Sequence, residues 1–186
     1  MKTSDSLKMI LRNTWERYNE LAEQSRLEAL SKLAPGAAAP AEGKLHTEMA
    51  KDLMSSFAKE QRKQALELID REMAKVNKAV AAAPSSEAIN TLNALSLAKS
   101  KNIRDYNAVY SEYGSNAMVA NALTTIARDN NVMFRASTPE YDKLESLEAC
   151  RRTFDSALNP VSVVNGGMSA GSVAFVEMSI DKGIDS

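Results

Sequence analysis

Few side chains in this sequence could carry acid–base or nucleophilic chemistry. His46 is the one histidine and Cys150 the one cysteine. A single histidine excludes sites that need two imidazoles, such as the His-Glu-x-x-His zinc helix and the paired Glu-x-x-His ligands of di-iron bundles. A cysteine–histidine nucleophile would require Cys150 to meet His46 in space. Because Cys150 occupies an apolar position of a predicted helix, we expect it to be packed in the core instead.

The glycine-rich stretch at 165–172 is the other motif with possible chemistry. It lacks the Gly-Lys-Ser/Thr ending that contacts phosphates and magnesium, and it precedes a β-like run rather than a helix. We predict a hairpin loop there. The carboxylates form no Asp/Asn-rich calcium loop. The sequence therefore predicts a protein that is not an enzyme and has no cofactor or metal site; a site assembled from Asp, Glu, Tyr and Arg is not visible from spacing.

A helix pair joined at Gly114 raises the hypothesis of a helix-turn-helix nucleic-acid binder. We expect Gly114 to be a left-handed helix cap. The second helix, 117–129, would present polar side chains to base edges, namely Asn121, Thr124, Thr125 and Arg128. The basic residues around it are few, and the net charge of −1 gives no bulk attraction to nucleic acid or to an anionic membrane. Nucleic-acid binding is therefore the less favoured hypothesis.

The elements that would position any site are helices, and the longest is predicted over Leu45–Ala83, which contains no glycine or proline. Its apolar residues recur at steps of three and four: Leu45, Met49, Leu53, Phe57, Ala58, Ala65, Ile69, Met73, Val76, Val80 and Ala83. An eleven-residue repeat relates Met54 to Ala65 and Val76, and Ala58 to Ile69 and Val80. At about 1.5 Å per residue such a helix is roughly 55–60 Å long. We expect it either to bend or break near Gln61, or to project and pair with another helix.

The remaining chain divides into four predicted segments. These are an N-terminal helical arm at 1–34, a Pro/Gly/Ala linker at 35–44, a helical core at 45–159 and a glycine-rich β-like tail at 160–186. The arm either docks on another copy or folds back on the long helix. Within the core, Ser85 or Ser86 and Thr138-Pro139 are predicted helix starts, and Asn159-Pro160 a stop. Val132-Met133-Phe134 is either a strand or an extended connection laid on the core.

These segments predict a mainly α fold: an elongated helical bundle or hairpin of about five helices with a short C-terminal tail like a β-hairpin. We expect a non-enzymatic structural or assembly protein that self-associates or docks on a larger complex through amphipathic helices. Virion components and scaffolds have this general character. The alternative is a helical adaptor or chaperone-type module for another protein. Large aromatic and arginine side chains are the candidate interface residues: Trp15, Tyr18, Phe57, Tyr106, Tyr110, Tyr113, Arg151 and Arg152.

Those interface candidates have a second interpretation. The aromatic residues would equally serve as core packing, and the arginine pair could form salt bridges within the chain. The predicted partners are proteins, as a homo-oligomer or within a larger assembly. No apolar run approaches the roughly 20 residues of a membrane span, and the N-terminus lacks the apolar segment of a signal peptide. We therefore expect cytoplasmic synthesis without export, with a virion or another large assembly as one destination.

Overall fold

The computed structural model describes residues 2–166 and 168–184, and these residues form eight helices and no strand. The helices are α1 (Thr3–Ser31), α2 (Glu48–Val80), α3 (Ser86–Ala98), α4 (Ile103–Tyr113), α5 (Ala117–Asp129), α6 (Pro139–Ala157), α7 (Pro160–Gly166) and α8 (Ala170–Ile184). The predicted mainly α class is confirmed. The expected count of about five helices and the β-hairpin-like tail are wrong.

The chain forms two compact units. Met1–Glu72 and Ser146–Ser186 make the first, and Met73–Glu145 makes the second. The first unit therefore joins α1 and most of α2 with the end of α6, α7 and α8, while α3, α4 and α5 belong to the second. The division into arm, linker, core and tail stays a prediction.

In the first unit α1 folds back along α2. Tyr18 and Leu21 share an apolar cluster with Ala50 and Met54 near the start of α2. The opposite end of α1 meets a later turn of α2, where the Thr3 hydroxyl donates to the Glu72 carboxylate at 2.8 Å. The two helices are therefore antiparallel. Of the two alternatives for the N-terminal helix, this chain adopts the hairpin.

The long helix α2 runs without a break through Gln61. The residues related by the first eleven-residue step are fully buried. Met54 and Ala65 form one such pair and Ala58 and Ile69 the other, and none of the four has exposed area. Met49 and Leu53 are instead 71% and 48% exposed. The reason is geometric. Steps of four residues drift by about 40° around a helix with 3.6 residues per turn, whereas a step of eleven drifts by only about 20°.

The C-terminal segment predicted as β is the helix pair α7 and α8. Helix α8 packs antiparallel on α1, as two ion pairs show: Lys8 Nζ to Asp181 Oδ1 at 2.5 Å, and Arg12 Nε to Glu177 Oε1 at 2.6 Å. Its buried residues, Val173, Val176 and Ile180, recur at helical spacing. Burial of this face offsets the low helix propensity of the valines and glycines.

Local start signals for both helices are present in the sequence. Asn159 caps α7, because its Oδ1 accepts the N–H of Val161 at 3.0 Å, and Pro160 takes the first helical position. Ser169 Oγ accepts the N–H of Ser172 at 3.1 Å in the first turn of α8. Asn159-Pro160, predicted as the end of a helix, therefore also begins α7. The predicted hairpin loop at 165–172 is wrong, with Gly167 outside the described residues.

In the second unit α3, α4 and α5 pack on one another around a single apolar cluster. Ser85 caps α3 by accepting the N–H of Ala88 at 3.1 Å, and α6 begins at Pro139, so both predicted helix starts are confirmed. Val132 and Phe134 pack against the cluster from a connection that is neither helix nor strand. Of the two alternatives for residues 132–134, the chain therefore takes the connection laid on the core and not the strand.

Gly114 ends α4 but not as the expected left-handed cap. Its φ is −68°, which is right-handed helical backbone. The glycine is needed for space instead, because an added Cβ would lie 2.3 Å from Tyr110 Cδ2 and 2.4 Å from the Tyr110 carbonyl oxygen. The predicted left-handed conformation is wrong, and close approach to Tyr110 replaces it as the reason for glycine.

Gly114→Ala is expected to destabilise the second unit by about 1–3 kcal/mol, because a backbone oxygen must move to admit the methyl group. Urea unfolding followed by amide hydrogen exchange in α4 and α5 measures the change. Gly171→Ala, read from the amides of α8, is the control for the same substitution in open space, since the nearest atom to its Cβ, Ser169 Oγ, is 3.8 Å away. Equal stability of the two variants would contradict this account of Gly114.

Candidate functional site

The two residues best suited to nucleophilic chemistry, His46 and Cys150, have different surroundings. His46 Nε2 lies 2.7 Å from the Ala41 carbonyl oxygen, and its backbone N–H donates to Ser25 Oγ. Cys150 is 1% exposed, and its burial raises the pKa of the thiol from 9.0 to about 11. The structure describes no hydrogen bond between the two side chains. A thiol with so high a pKa is a poor nucleophile at neutral pH.

Native Cys150 is expected to react with an aromatic disulfide reagent at pH 8 at least a hundredfold more slowly than a free cysteine. The raised pKa lowers the thiolate fraction by about that factor, and burial restricts access further. The rate of thiol release, followed by absorbance, measures this. Unfolding in urea should restore the ordinary rate, and an ordinary rate in the native protein would contradict the burial of this thiol.

A charged groove lies between α2 and α6 in the first unit. Its volume is about 700 Å³, and four basic and four acidic residues line it together with Ser56 and Leu66. Arg62 donates to Asp155 Oδ1 from Nη2 at 2.6 Å and from Nε at 3.0 Å. Arg151 Nε donates to Asp70 Oδ1 at 2.9 Å. Because positive and negative charges balance, the groove has no excess charge to select an ionic ligand.

These ion pairs join α6 to α2, and their side chains are partly exposed to solvent. The side chains of Arg62 and Asp155 are 33% and 42% exposed, and those of Arg151 and Asp70 are 45% and 53% exposed. Pairs with this exposure contribute about 0–1 kcal/mol each. Arg151 therefore forms a salt bridge within the chain, as the second interpretation of the arginine pair predicted. Arg152 is exposed and has no ion pair within the described residues.

The predicted aromatic interface residues differ in how deeply they are buried. In the first unit, Tyr18 is 2% exposed and donates from its hydroxyl to the Gly43 carbonyl at 3.0 Å; burial raises its pKa. Phe57 packs half-buried on the same cluster. Trp15 is half-buried. Tyr18 and Phe57 therefore match the core-packing alternative. Trp15 remains partly exposed on α1.

The tyrosines of α4 are brought together in the second unit. Tyr106 is fully buried, and Tyr110 and Tyr113 pack partly buried on the same cluster. The Tyr106 and Tyr110 rings lie 5.6 and 6.0 Å from the ring of Phe134. The Tyr106 hydroxyl donates to the Ser100 carbonyl, and the Tyr110 hydroxyl donates to the Ser137 carbonyl. Tyr106 and Tyr110 thus pack on apolar neighbours and donate hydrogen bonds to backbone carbonyls, as core tyrosines do.

The candidate base-reading side chains of α5 are not all free to contact a ligand. Thr124 Oγ1 donates to the Ala120 carbonyl and accepts the N–H of Ala136 at 3.0 Å. Asn121, Thr125 and Arg128 are exposed. With Thr124 committed inside the unit, one arginine and two polar side chains remain for any contact to base edges.

A surface that the sequence analysis missed lies on α8. Gly171, Ala174, Phe175 and Met178 occupy one helical stripe and are exposed, Phe175 by 65% and Met178 by 57%. We refer to these four residues as the outer face of α8. The signal was the 3-4-7 spacing of apolar residues, which was hidden when valines and glycines were interpreted as a hairpin. Because the opposite face packs on α1, α8 is apolar on two sides.

Other classes of site find no support in the residues described. No group of three or more His, Cys, Asp or Glu side chains among them is placed to hold a metal ion. None of their helices combines the length and apolar character needed to cross a bilayer. Comparisons of the chain with protein-family models, with curated proteins and with solved structures found no match.

Proposed function

We propose that this chain is a non-enzymatic structural or assembly protein that self-associates or docks on a larger complex through its amphipathic helices. One observation carries the proposal: the outer face of α8 leaves Phe175 and Met178 more than half exposed. Contiguous exposed apolar side chains mark protein contacts more often than chance surface residues do. A virion or scaffold component is one form of such a protein.

The composition of the outer face suits helix-to-helix packing. Gly171 and Ala174 are small, and Phe175 and Met178 are large, so ridges of one copy can enter gaps of another. Methionine adapts its shape to irregular contacts. The net charge of −1 opposes association of identical chains only weakly. A second copy of α8 is therefore a suitable occupant.

Sedimentation velocity over a micromolar concentration series tests the proposal. We expect the wild-type chain to form a concentration-dependent oligomer and Phe175→Glu/Met178→Glu to shift it to monomer, because the glutamates would place charge in an apolar contact. Asn107→Glu/Ser111→Glu adds the same charge to exposed positions of α4 and should leave the oligomer intact. A wild-type chain that stays monomeric when concentrated, with no partner bound in its source cells, would overturn the proposal.

The second candidate is a helical adaptor for another protein. Exposed apolar residues of the second unit favour it, since Leu97 is 83% exposed and Met133 is 97% exposed. Co-purification separates the two candidates. One foreign protein at fixed stoichiometry, bound equally well by the Phe175→Glu/Met178→Glu variant, would favour the adaptor over self-assembly through α8.

A further inference from the structure

The connection between α5 and α6 alternates in burial as a strand does. Residues 132–137 form neither helix nor strand after Asn131, whose φ of 57° turns the chain out of α5, and the bond from the Phe134 N–H to the Val132 carbonyl closes a three-residue turn at Met133. Their burial alternates with the two-residue period of a strand. Ala136 is 5% exposed and Phe134 packs on the core, whereas Met133 is 97% exposed and Arg135 and Ser137 are exposed as well.

The backbone N–H groups of this segment alternate in the same way. Three of them are bonded inside the unit: Val132 to the Ala127 carbonyl at 2.8 Å, Phe134 to the Val132 carbonyl at 2.9 Å, and Ala136 to Thr124 Oγ1 at 3.0 Å. The N–H groups of Arg135 and Ser137 have no partner among the described residues. The segment therefore presents two N–H donors, two residues apart, while the Ser137 carbonyl beside them accepts from the Tyr110 hydroxyl at 3.2 Å.

Positive charge borders this segment. An open cleft of about 590 Å³ is lined by Arg128, Asn131, Val132, Met133, Phe134 and Arg135. Arg128 makes one ion pair, to the adjacent Asp129 at 3.7 Å, and both side chains are more than 60% exposed. Arg135 has no ion pair within the described chain. Two cationic side chains are thus available to a ligand beside a fully exposed methionine.

We propose that the edge at Phe134–Ser137 binds an extended acidic peptide segment of a protein partner by strand addition. The N–H groups of Arg135 and Ser137 donate to carbonyls of the peptide, in the manner of domains that complete a sheet edge with a ligand strand. Arg128 and Arg135 bind its carboxylates by charge-assisted hydrogen bonds, and Met133 packs on an apolar side chain between them.

This site is independent of the self-association proposed through α8. It lies in the second unit and uses backbone donors and arginines, whereas the self-association surface is the apolar outer face of α8. A monomeric chain could bind the peptide, and an oligomeric chain could fail to bind it. The two proposals therefore succeed or fail separately.

Fluorescence anisotropy of the full chain with a labelled octapeptide of alternating Glu and Val tests the peptide site. We expect saturable binding to wild type and none of the same peptide with Lys for Glu. Arg128→Gln/Arg135→Gln should weaken binding at least tenfold. Arg104→Gln, which removes an exposed arginine of α4, should leave it unchanged.

The backbone contribution is tested with Ser137→Pro, which removes one N–H donor without changing the charge. We expect a loss of at least fivefold in affinity. If that variant loses helical circular dichroism, an ester-backbone version of the acidic peptide, with weaker carbonyl acceptors, tests the same contact on wild type and should bind at least fivefold more weakly than the amide peptide.

Two results would overturn the proposal. The first is equal binding of the amide and ester peptides, or of wild type and a folded Ser137→Pro variant, because strand pairing would then be absent. The second is equal or tighter binding of a labelled oligothymidylate that depends on Arg128 and Arg135, since the arginines would then serve a polyanion rather than a peptide.

Discussion

Phe154→Ala is expected to lower the free energy of unfolding of the first unit by about 3–5 kcal/mol. The Phe154 ring is fully buried on α6, and truncation of a buried phenylalanine removes its transfer free energy and leaves a cavity. A loss of that size is a large part of the stability of an ordinary domain. Urea unfolding followed by the fluorescence of Trp15, the one tryptophan, measures it within the same unit.

Phe175→Ala is the matched control for this experiment. The same side chain is removed from the same unit, but Phe175 is 65% exposed, so the change in stability should stay within about 0.5 kcal/mol. Comparable losses for the two variants, measured on the monomer at low concentration, would contradict the core assigned to the first unit. A loss confined to the concentrated protein in Phe175→Ala would instead report the contact proposed for α8.

Tyr106→Ala is expected to destabilise the second unit by about 3–5 kcal/mol. Its ring is fully buried against Phe134, and its hydroxyl donates to the Ser100 carbonyl and accepts from Asn130 Nδ2, both at 2.9 Å. The alanine variant creates a cavity and leaves both partners unsatisfied. Hydrogen exchange of the α4 and α5 amides under native conditions measures the loss in this unit.

Tyr106→Phe divides that loss into its two sources. It keeps the ring and removes the hydroxyl, so we expect about 1–3 kcal/mol. Met133→Ala, at a residue 97% exposed, should have little effect. If Tyr106→Phe proved as damaging as Tyr106→Ala, the hydrogen bonds and not the ring would dominate. If Tyr106→Ala proved harmless, Tyr106 would be free to act as the interface residue predicted from sequence.

Helix starts were predictable because capping is local. Ser85 accepts a hydrogen bond from a residue three positions on, and Thr138-Pro139 places a proline where its missing N–H costs nothing. The same local rules hold at Asn159-Pro160 and Ser169, which begin α7 and α8. The sequence analysis predicted a helix end and a hairpin loop at these positions instead. Gly114 shows the limit of such rules, since its need for glycine comes from the close approach of the Tyr110 ring and carbonyl oxygen, and a left-handed cap involves neither.

The interface residues could not be predicted in the same way. Composition identifies Tyr106 and Phe175 alike as large aromatic side chains, yet one is fully buried and the other is 65% exposed. The difference depends on which face of each helix meets a neighbour. Likewise Thr124, twelve residues before Ala136, accepts the N–H of Ala136, a contact that no pattern within one helical turn predicts.

The sequence by itself determined a mainly helical chain, the starts of α3 and α6, and the absence of a paired-histidine site, because each follows from composition or from contacts within one helical turn. Tertiary structure decided which stripe of α2 is buried, that α1 folds back, and that the valine- and glycine-rich C-terminus is helical. The physical reason is that burial against another helix, such as that of Val173, Val176 and Ile180 in α8, outweighs the weaker local preference of those residues for extended backbone.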